Sequence, residues 1–268
     1  MSNFNIITSA DNDKIKLYRR LAADKKLRRK ESKFVIEGAR LVSDAALEAI
    51  ELHCVFFTES AMKKYGEALE LLFSKYSRSI FSCISDELAA SISETAMPQG
   101  IFAICRIPAL DKSSAYGKIE RGGRYLILDN IQDPGNMGTM LRTADACGID
   151  AVITCSCCDI YNPKVVRSAM GSLMRVTVID DDINSAADIL HSKNVPIFAA
   201  VVDSTALSLK QCDFSQGGAV MIGNEGNGLS PDHIALADIP MTIKMHGQIN
   251  SLNAAMAAGI IMWELTSK

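Results

Sequence analysis

The chain has no run of 18 or more apolar residues, so a membrane span is not expected. Its first residues, Met1-Ser2-Asn3-Phe4-Asn5, have neither a basic nor an apolar stretch, so no signal peptide is expected and a cytoplasmic protein is. With no secretory signal, the eight cysteines are expected to stay reduced. Internal repeats and low-complexity segments are absent. The sequence holds no G-x-x-x-x-G-K-[ST], which argues against a nucleoside triphosphatase, and no H-x-E, which argues against a zinc deaminase. Cys155-Ser156-Cys157-Cys158 contains one C-x-x-C, but no second ligand pair follows at zinc-binding spacing. The four histidines (53, 191, 233, 246) are scattered, and only His246 falls near a motif, where it reads as a loop residue. No metal is expected.

What is present suits two domains. At 268 residues and 48% hydrophobic, the chain can bury two cores. The net charge of −3 conceals segregation. Between Lys14 and Lys33 stand ten Lys/Arg against Asp24 and Glu31, a local +8 that leaves the remainder near −11. A basic segment on an acidic protein points to a polyanion, with a solvated helix face as the bland alternative. Lys25, Lys26, Arg28, Arg29 and Lys30 are the candidate contacts.

The pattern predicts one helix over 9–30, capped by Ser9 or Asp11, followed by alternating strands and helices. Strands are expected at 34–36, 54–57, 79–81 and 101–106, and helices at 38–50, 60–76 and 86–91. A small α/β domain over 1–106 results, and a Gly/Ser-containing linker over 107–121. From about 122 the alternation resumes to residue 268. Strands near 125–128, 151–154, 175–179, 197–202, 219–222 and 239–243 imply a mainly parallel sheet.

Three strand–loop–helix units in this second half carry the chemistry. The first is Leu128 to Ala144, where Asp129-Asn130-Ile131-Gln132-Asp133-Pro134-Gly135-Asn136 precedes a helix opened by Asn136 or Gly138 and bearing Arg142. The second is the strand 218–222 followed by Gly223-Asn224-Glu225-Gly226-Asn227-Gly228. The third is the strand 239–245 followed by Gly247 to Asn253, with Ser251 as the natural helix cap. Loops between strand C-termini and helix N-termini are where parallel sheets place ligands. Each feature has an ordinary reading as well. Asn136 and Ser251 cap helices, Asp133-Pro134-Gly135 makes a turn, and Gly-rich loops turn chains.

Occurring together and in this order, the three motifs resemble those of the SpoU/TrmH branch of the SPOUT RNA methyltransferases, over about Arg124 to Leu265. The first half is similar to that family's RNA substrate-binding domain through Ile7-Thr8-Ser9, Asn12, Lys14, the basic helix and Phe34-Val35-Ile36-Glu37-Gly38. The resemblance implies an α/β SPOUT domain with a C-terminal trefoil knot, a homodimer with its site near the interface, and S-adenosylmethionine as cofactor. It implies methylation of a ribose 2′-hydroxyl in RNA, with ribosomal RNA preferred, and the alternatives are the same chemistry on transfer RNA or a silent RNA-binding or assembly factor. Arg142, Asn136, Glu225, Ser251, Asn253 and Asn130 would form the catalytic set. Gly223, Ile243, Met245, Leu252 and Asn253 would hold the cofactor. Lys164 and Arg167, in a further family-like segment from Asn162 to Ser172, would bind phosphate. Arginine stays protonated, so Arg142 is expected to stabilise an alkoxide or hold a phosphate rather than act as a base. Lys244 and Asn250 depart from the family's usual proline and glutamate.

Overall fold

A computed structural model describes residues 4–267. The elements begin with β1 (Asn5–Ile7), α1 (Asp13–Ala23), α2 (Lys25–Glu31), β2 (Lys33–Glu37), α3 (Ala39–Leu47), β3 (Leu52–Thr58), α4 (Glu59–Lys64), α5 (Gly66–Lys75), β4 (Phe81–Ile84), α6 (Asp86–Ile92) and β5 (Ile101–Arg106). There follow α7 (Lys112–Gly117), β6 (Arg124–Asp129), α8 (Pro134–Cys147), β7 (Ala151–Cys155), α9 (Pro163–Ala169), β8 (Val178–Asp180) and α10 (Ile183–Ser192). Last come β9 (Ile197–Ala200), β10 (Leu207–Ser208), β11 (Gly218–Ile222), α11 (Pro231–Ile234), β12 (Ile239–Thr242) and α12 (Ala254–Thr266).

The chain divides into two compact units. The first ends at Ala109 and takes back Tyr161–Met174, which brings α9 with Lys164 and Arg167 into it. The second is Leu110–Ile160 with the chain from Arg175 onward.

In the first unit a five-stranded mixed sheet runs β1-β4-β3-β5-β2. Ile7, Ile15, Leu21, Phe56, Phe102 and Ile104 are in its core. The predicted helix over 9–30 forms as two. Asn12, not Ser9 or Asp11, caps α1 by accepting from the Lys14 N–H. Asp24 ends α1 in an extended conformation and caps α2 by accepting from the Lys26 and Leu27 N–H groups. That break turns Arg28 inward. It is 2% exposed, and its guanidinium donates to the carbonyls of Leu21 (2.5 Å) and Ala22 (2.9 Å) at the C-terminal end of α1. Cations belong at that negative end of a helix dipole. Arg28 is therefore removed from the candidate RNA contacts. The predicted helix over 60–76 likewise divides, at Tyr65–Gly66, and β1 was not anticipated because three residues carry too little pattern.

In the second unit the seven-stranded sheet, order β10-β12-β9-β11-β6-β7-β8, is parallel at every pairing. A parallel strand covered on both faces needs an unbroken apolar run, and Tyr125 to Leu128 of β6 are at most 2% exposed. From β6 the chain steps outward to β7 and β8, then returns across the sheet to β9. This reversal places β6 and β11 side by side at a switch point, so their C-terminal loops open onto one crevice. The expected linker holds α7 instead, whose Tyr116 hydroxyl donates to Asp181 at 2.9 Å. Strand β8 begins at Val178, later than the expected 175, because Arg175 turns aside to pair with Asp145.

Candidate functional site

Three loops meet at the C-terminal ends of β6, β11 and β12. The loop after β6 starts with Asn130 in the left-handed region (φ 56°), which asparagine tolerates better than most residues. Helix α8 opens earlier than expected, at Pro134, with Asp133 as cap accepting from the Asn136 N–H at 2.8 Å. Asn136, freed from capping, turns its side-chain amide to the other two loops.

Glu225 is the hub. Its Oε1 accepts from the Asp133 N–H at 2.9 Å and from Asn136 Nδ2 at 3.2 Å. Its Oε2 accepts from the Gln132 N–H at 3.2 Å and from Asn224 Nδ2 at 3.4 Å. Asn136 Oδ1 in turn accepts from Asn253 Nδ2 at 3.0 Å. One hydrogen-bonded chain thus joins all three loops. Burial pushes the Glu225 carboxyl up. The N–H groups of Asp133, Glu225 itself and Gln132, with the Asn136 amide, outweigh that and hold it below its ordinary value. A carboxylate so engaged is a poor base and a good tie.

The other expected residues are placed differently. Asn130 Oδ1 accepts from Gln132 Nε2 at 2.6 Å and its carbonyl from Asn224 Nδ2 at 2.9 Å, so it secures the loop rather than joining the Asn136 chain directly. Arg142 is exposed on α8 and makes no hydrogen bond or ion pair with the described residues. Ser251 does not cap the last helix. Asn253 does, its Oδ1 accepting from the Ala255 and Met256 N–H groups. Two extra residues between Ser251 and the first helical turn put the serine out of reach. Asn253 therefore serves twice, Oδ1 on its own helix and Nδ2 on Asn136.

Beside this chain lies a cavity of about 610 Å³, within the ~300–1,000 Å³ typical of small-molecule sites. Of the residues that the resemblance assigns to the cofactor, Gly223, Ile243, Met245 and Leu252 line it, together with Ser251 and Asn250, whereas Asn253 is not among its lining residues. Gly223 must be glycine for the loop's own sake: an added Cβ would stand 2.3 Å from the backbone of Gly228 and of Leu229. Sequence reasoning passed over Gln132 and Asn224 as hydrogen-bonding members, although both lie inside the quoted motifs. It also missed the pair of His233 Nδ1 and Asp129 Oδ2 at 2.6 Å, with Asp129 buried, which links α11 to the end of β6.

The cysteine cluster has a local structural role. Cys157 Sγ donates to the Leu128 carbonyl and accepts from the Ile131 N–H. Burial pushes Cys155 and Cys157 up to about 12, so both stay protonated thiols. Among the described residues no group of three or more His, Cys, Asp or Glu is placed to hold a metal ion, and no helix is long and apolar enough to cross a membrane.

The basic candidates of the first unit separate by exposure. Lys26, Arg29, Lys30 and Lys164 are exposed and Lys25 half-buried. Arg167 is half-buried and its guanidinium lies 3.4 Å from Glu94.

Parallel-sheet topology with polar loops and a cavity at one edge defines an α/β ligand-binding domain, preceded by a mixed α/β domain with a basic surface. The model of the SpoU rRNA Methylase family matches residues 123–263, and that of the MRM3-like substrate binding domain matches residues 12–103. The chain is 32% identical over 268 residues to the 23S rRNA (guanosine(2553)-2′-O)-methyltransferase of Bacillus subtilis, covering 97% of this chain and 98% of that one. It is 27% identical over 267 residues to the 23S rRNA (uridine(2479)-2′-O)-methyltransferase of Streptomyces viridochromogenes, covering 94% and 89%. The solved SpoU methyltransferase AviRb from Streptomyces viridochromogenes, in complex with the cofactor AdoMet, superposes with a TM-score of 0.82 at 25% identity, over 95% of this chain and 98% of that one. The chain belongs to the SpoU rRNA methylase family.

Proposed function

We propose that this chain methylates a ribose 2′-hydroxyl of ribosomal RNA with S-adenosylmethionine as donor, acting as a cytoplasmic homodimer. The observation that carries the reading is the chain of hydrogen bonds from Glu225 through Asn136 to Asn253 beside the cavity. It holds three loops in one arrangement at the sheet edge where α/β domains bind ligands.

The cavity fits the cofactor. Apolar walls from Ile222, Ile243, Leu252 and Ile261 suit an adenine ring, and the backbone of the 223–228 loop offers polar groups close by. Gly223, Ile243, Met245 and Leu252 would hold the cofactor. When bound it supplies a methyl group on a sulfonium, an electrophile that needs no metal.

The protein's own task is to place a weak nucleophile and to stabilise the charge it develops. Arg142 is suited to the second task. Its guanidinium is exposed and has no partner among the described residues, so it can meet an alkoxide or a substrate phosphate without first breaking an ion pair. Asn136 and Asn253 orient the edge of the site, and Glu225 positions both through Asn136. Ser251 lines the cavity with its hydroxyl available to substrate.

The first unit, matched over 12–103 by a substrate-binding domain, would hold the RNA with Lys25, Lys26, Arg29, Lys30, Lys164 and Arg167. The presence of this domain favours ribosomal RNA over transfer RNA. Dimerisation is supported by the outer face of α12. Met256 (59% exposed), Ile260 (41%) and Trp263 (69%) stand at i, i+4 and i+7, an apolar stripe opposite the buried Ala255, Ala258, Ile261, Met262 and Leu265. A trefoil knot at the C-terminus is part of the proposal. It agrees with the path of the chain from β12 to α12, which packs on α8, β11 and β6.

The test is transfer of a tritiated methyl group from S-adenosylmethionine to total RNA from a strain lacking this gene, with Arg142→Ala as control. The RNA is then size-separated and the label mapped to ribose or base. Label at a 2′-hydroxyl of large ribosomal RNA, lost in Arg142→Ala although cofactor binding persists, is the expected result. Label in transfer RNA would overturn the substrate. No label on naked RNA or on ribosomal particles would put a silent RNA-binding factor in its place.

A further inference from the structure

The cavity has a charge pattern that its motifs do not account for. Among the described residues that line it, only Asp203 and Glu225 are ionisable, and both are acids; no lysine, arginine or histidine is present. Glu225 belongs to the second motif and is occupied by four donors from the neighbouring loops. Asp203 belongs to none of the three motifs. It lies between β9 and β10, just beyond the C-terminal end of β9, on the segment tied to β12 by the Val201 N–H donating to the Met241 carbonyl at 2.9 Å.

The Asp203 side chain is held in one local geometry. Its Oδ1 accepts from the Thr205 N–H at 2.7 Å and from Thr205 Oγ1 at 2.8 Å. These two bonds also hold the carboxyl below its ordinary value, so it is ionised at neutral pH. Oδ2 has no hydrogen-bond partner among the described residues. The turn therefore fixes one oxygen and leaves the other to a ligand.

Resting on the methyltransferase reading above, we propose that Asp203 is a specificity residue for the charge of the cofactor. S-adenosylmethionine carries a sulfonium, an ammonium and a carboxylate, a net charge of +1. Its demethylated product, S-adenosylhomocysteine, has lost the sulfonium charge and is neutral. A cavity that contains two carboxylates and no cation attracts the first more than the second, because the sulfonium charge is the one charge by which they differ and the shared adenosyl and amino-acid groups contribute equally to both. Asp203 thereby biases the site toward the methyl donor and weakens retention of the product.

Asp203→Asn is the appropriate substitution. The asparagine Oδ1 can still accept from Thr205, so the turn is kept and only the charge is lost. The full-length protein is titrated calorimetrically with S-adenosylmethionine, with S-adenosylhomocysteine, and with an analogue that carries an ammonium in place of the methylsulfonium. Asp203→Asn should weaken the two cationic ligands about 3- to 5-fold, as expected for a solvent-exposed charge pair. It should change S-adenosylhomocysteine less than about 2-fold, and the loss should shrink as salt is raised. Equal weakening of all three ligands would assign Asp203 to the architecture of the turn and overturn the proposal, as would no change in any. Wild-type protein that binds none of the three would overturn both this proposal and the methyltransferase reading. Wild-type binding with a preference for the cationic ligands that Asp203→Asn leaves undiminished would overturn the proposal alone.

Discussion

The Asn136–Glu225 bond can be isolated by a double-mutant cycle. Asn136→Ala keeps the backbone N–H that caps onto Asp133 at 2.8 Å, and alanine is the better helix former, so α8 should survive. The substitution removes two side-chain bonds, to Glu225 Oε1 and from Asn253 Nδ2. Both lie in a solvent-exposed region, where each is worth about 1 kcal/mol, the usual net value of a protein hydrogen bond. If the loops must be aligned for transfer, the loss of about 2 kcal/mol slows single-turnover methylation about 30-fold. Glu225→Gln puts an amide NH₂ where a carboxylate oxygen faced N–H donors. At least two of the four bonds are lost, for about 2–3 kcal/mol and a rate loss of about 30- to 160-fold. The bond between the two residues is lost in either single variant and cannot be lost again. The double variant should therefore be about 5-fold faster than the product of the single effects, a coupling of about 1 kcal/mol. Single-turnover transfer at saturating cofactor is the assay, and Lys164→Ala, in the other unit, is the additive control. Strict additivity of Asn136→Ala and Glu225→Gln, or a wild-type rate in Asn136→Ala, would refute the tie as the organiser of the site.

Three further outcomes follow from the same structure. Arg28→Ala should lower folding stability by about 3 kcal/mol in denaturant unfolding, since it strips two charge-assisted bonds from the end of α1; Arg29→Ala with Lys30→Ala should stay within about 0.5 kcal/mol yet flatten the salt dependence of RNA binding by up to about 2 in log–log slope. Because the Glu225 carboxyl is held below its usual value in the folded protein, its tie is complete above the ordinary carboxylate range and is lost as pH falls through the depressed value; protection of the Asp133 and Gln132 amide protons, taken relative to their intrinsic exchange rates, should fall there in the wild type and show no such step in Glu225→Gln. Gly223→Ala, with its Cβ 2.3 Å from the Gly228 and Leu229 backbone, should abolish cofactor binding by displacing the loop while Lys26 and Arg29 still bind RNA, a separation readable by calorimetry and gel shift.

The sequence makes the parallel sheet legible because its strands are apolar on both faces, as in Tyr125 to Leu128, and each ends in a polar loop. The three motif loops are legible for the same reason. Which side chain does what within them is not, because capping is decided by one or two residues of spacing. Asn136, Asp133 and Ser251 are all good cap residues, and only the backbone path makes Asp133 and Asn253 the caps and leaves Asn136 to link the loops. Arg28 eluded charge counting for a related reason. Its neighbours Arg29 and Lys30 are chemically equivalent in sequence, and the extended residue at Asp24 determines which of the three faces inward. The return of α9 to the first unit is a tertiary choice with no local signal. Pro163 starts a helix whose Val165, Val166 and Ala169 pack in a core that the sequence assigns by position to the other domain.

The segregation of charge acquires a physical meaning once burial and lining residues are known. The +8 segment belongs to the first unit, where all its arginines and lysines between 25 and 30 except Arg28 keep some exposure. The cavity of the second unit is lined by carboxylates without a cation among the described residues. A polyanion and a cationic cofactor would compete for neither surface, since each is attracted by one and repelled by the other. Where the two must nonetheless meet, the second unit needs an isolated positive charge close to acidic surroundings, one that is not neutralised by a neighbouring carboxylate. Arg142 has those properties: it is exposed, on the helix whose N-terminal loop is tied to Glu225, and without an ion pair among the described residues. Arg142→Lys preserves the charge but not the planar fork that matches a phosphate or an alkoxide and its neighbour. It should retain RNA affinity while losing most of the transfer rate, and equal retention of both would mean that the charge alone, and not the guanidinium, is what the site requires.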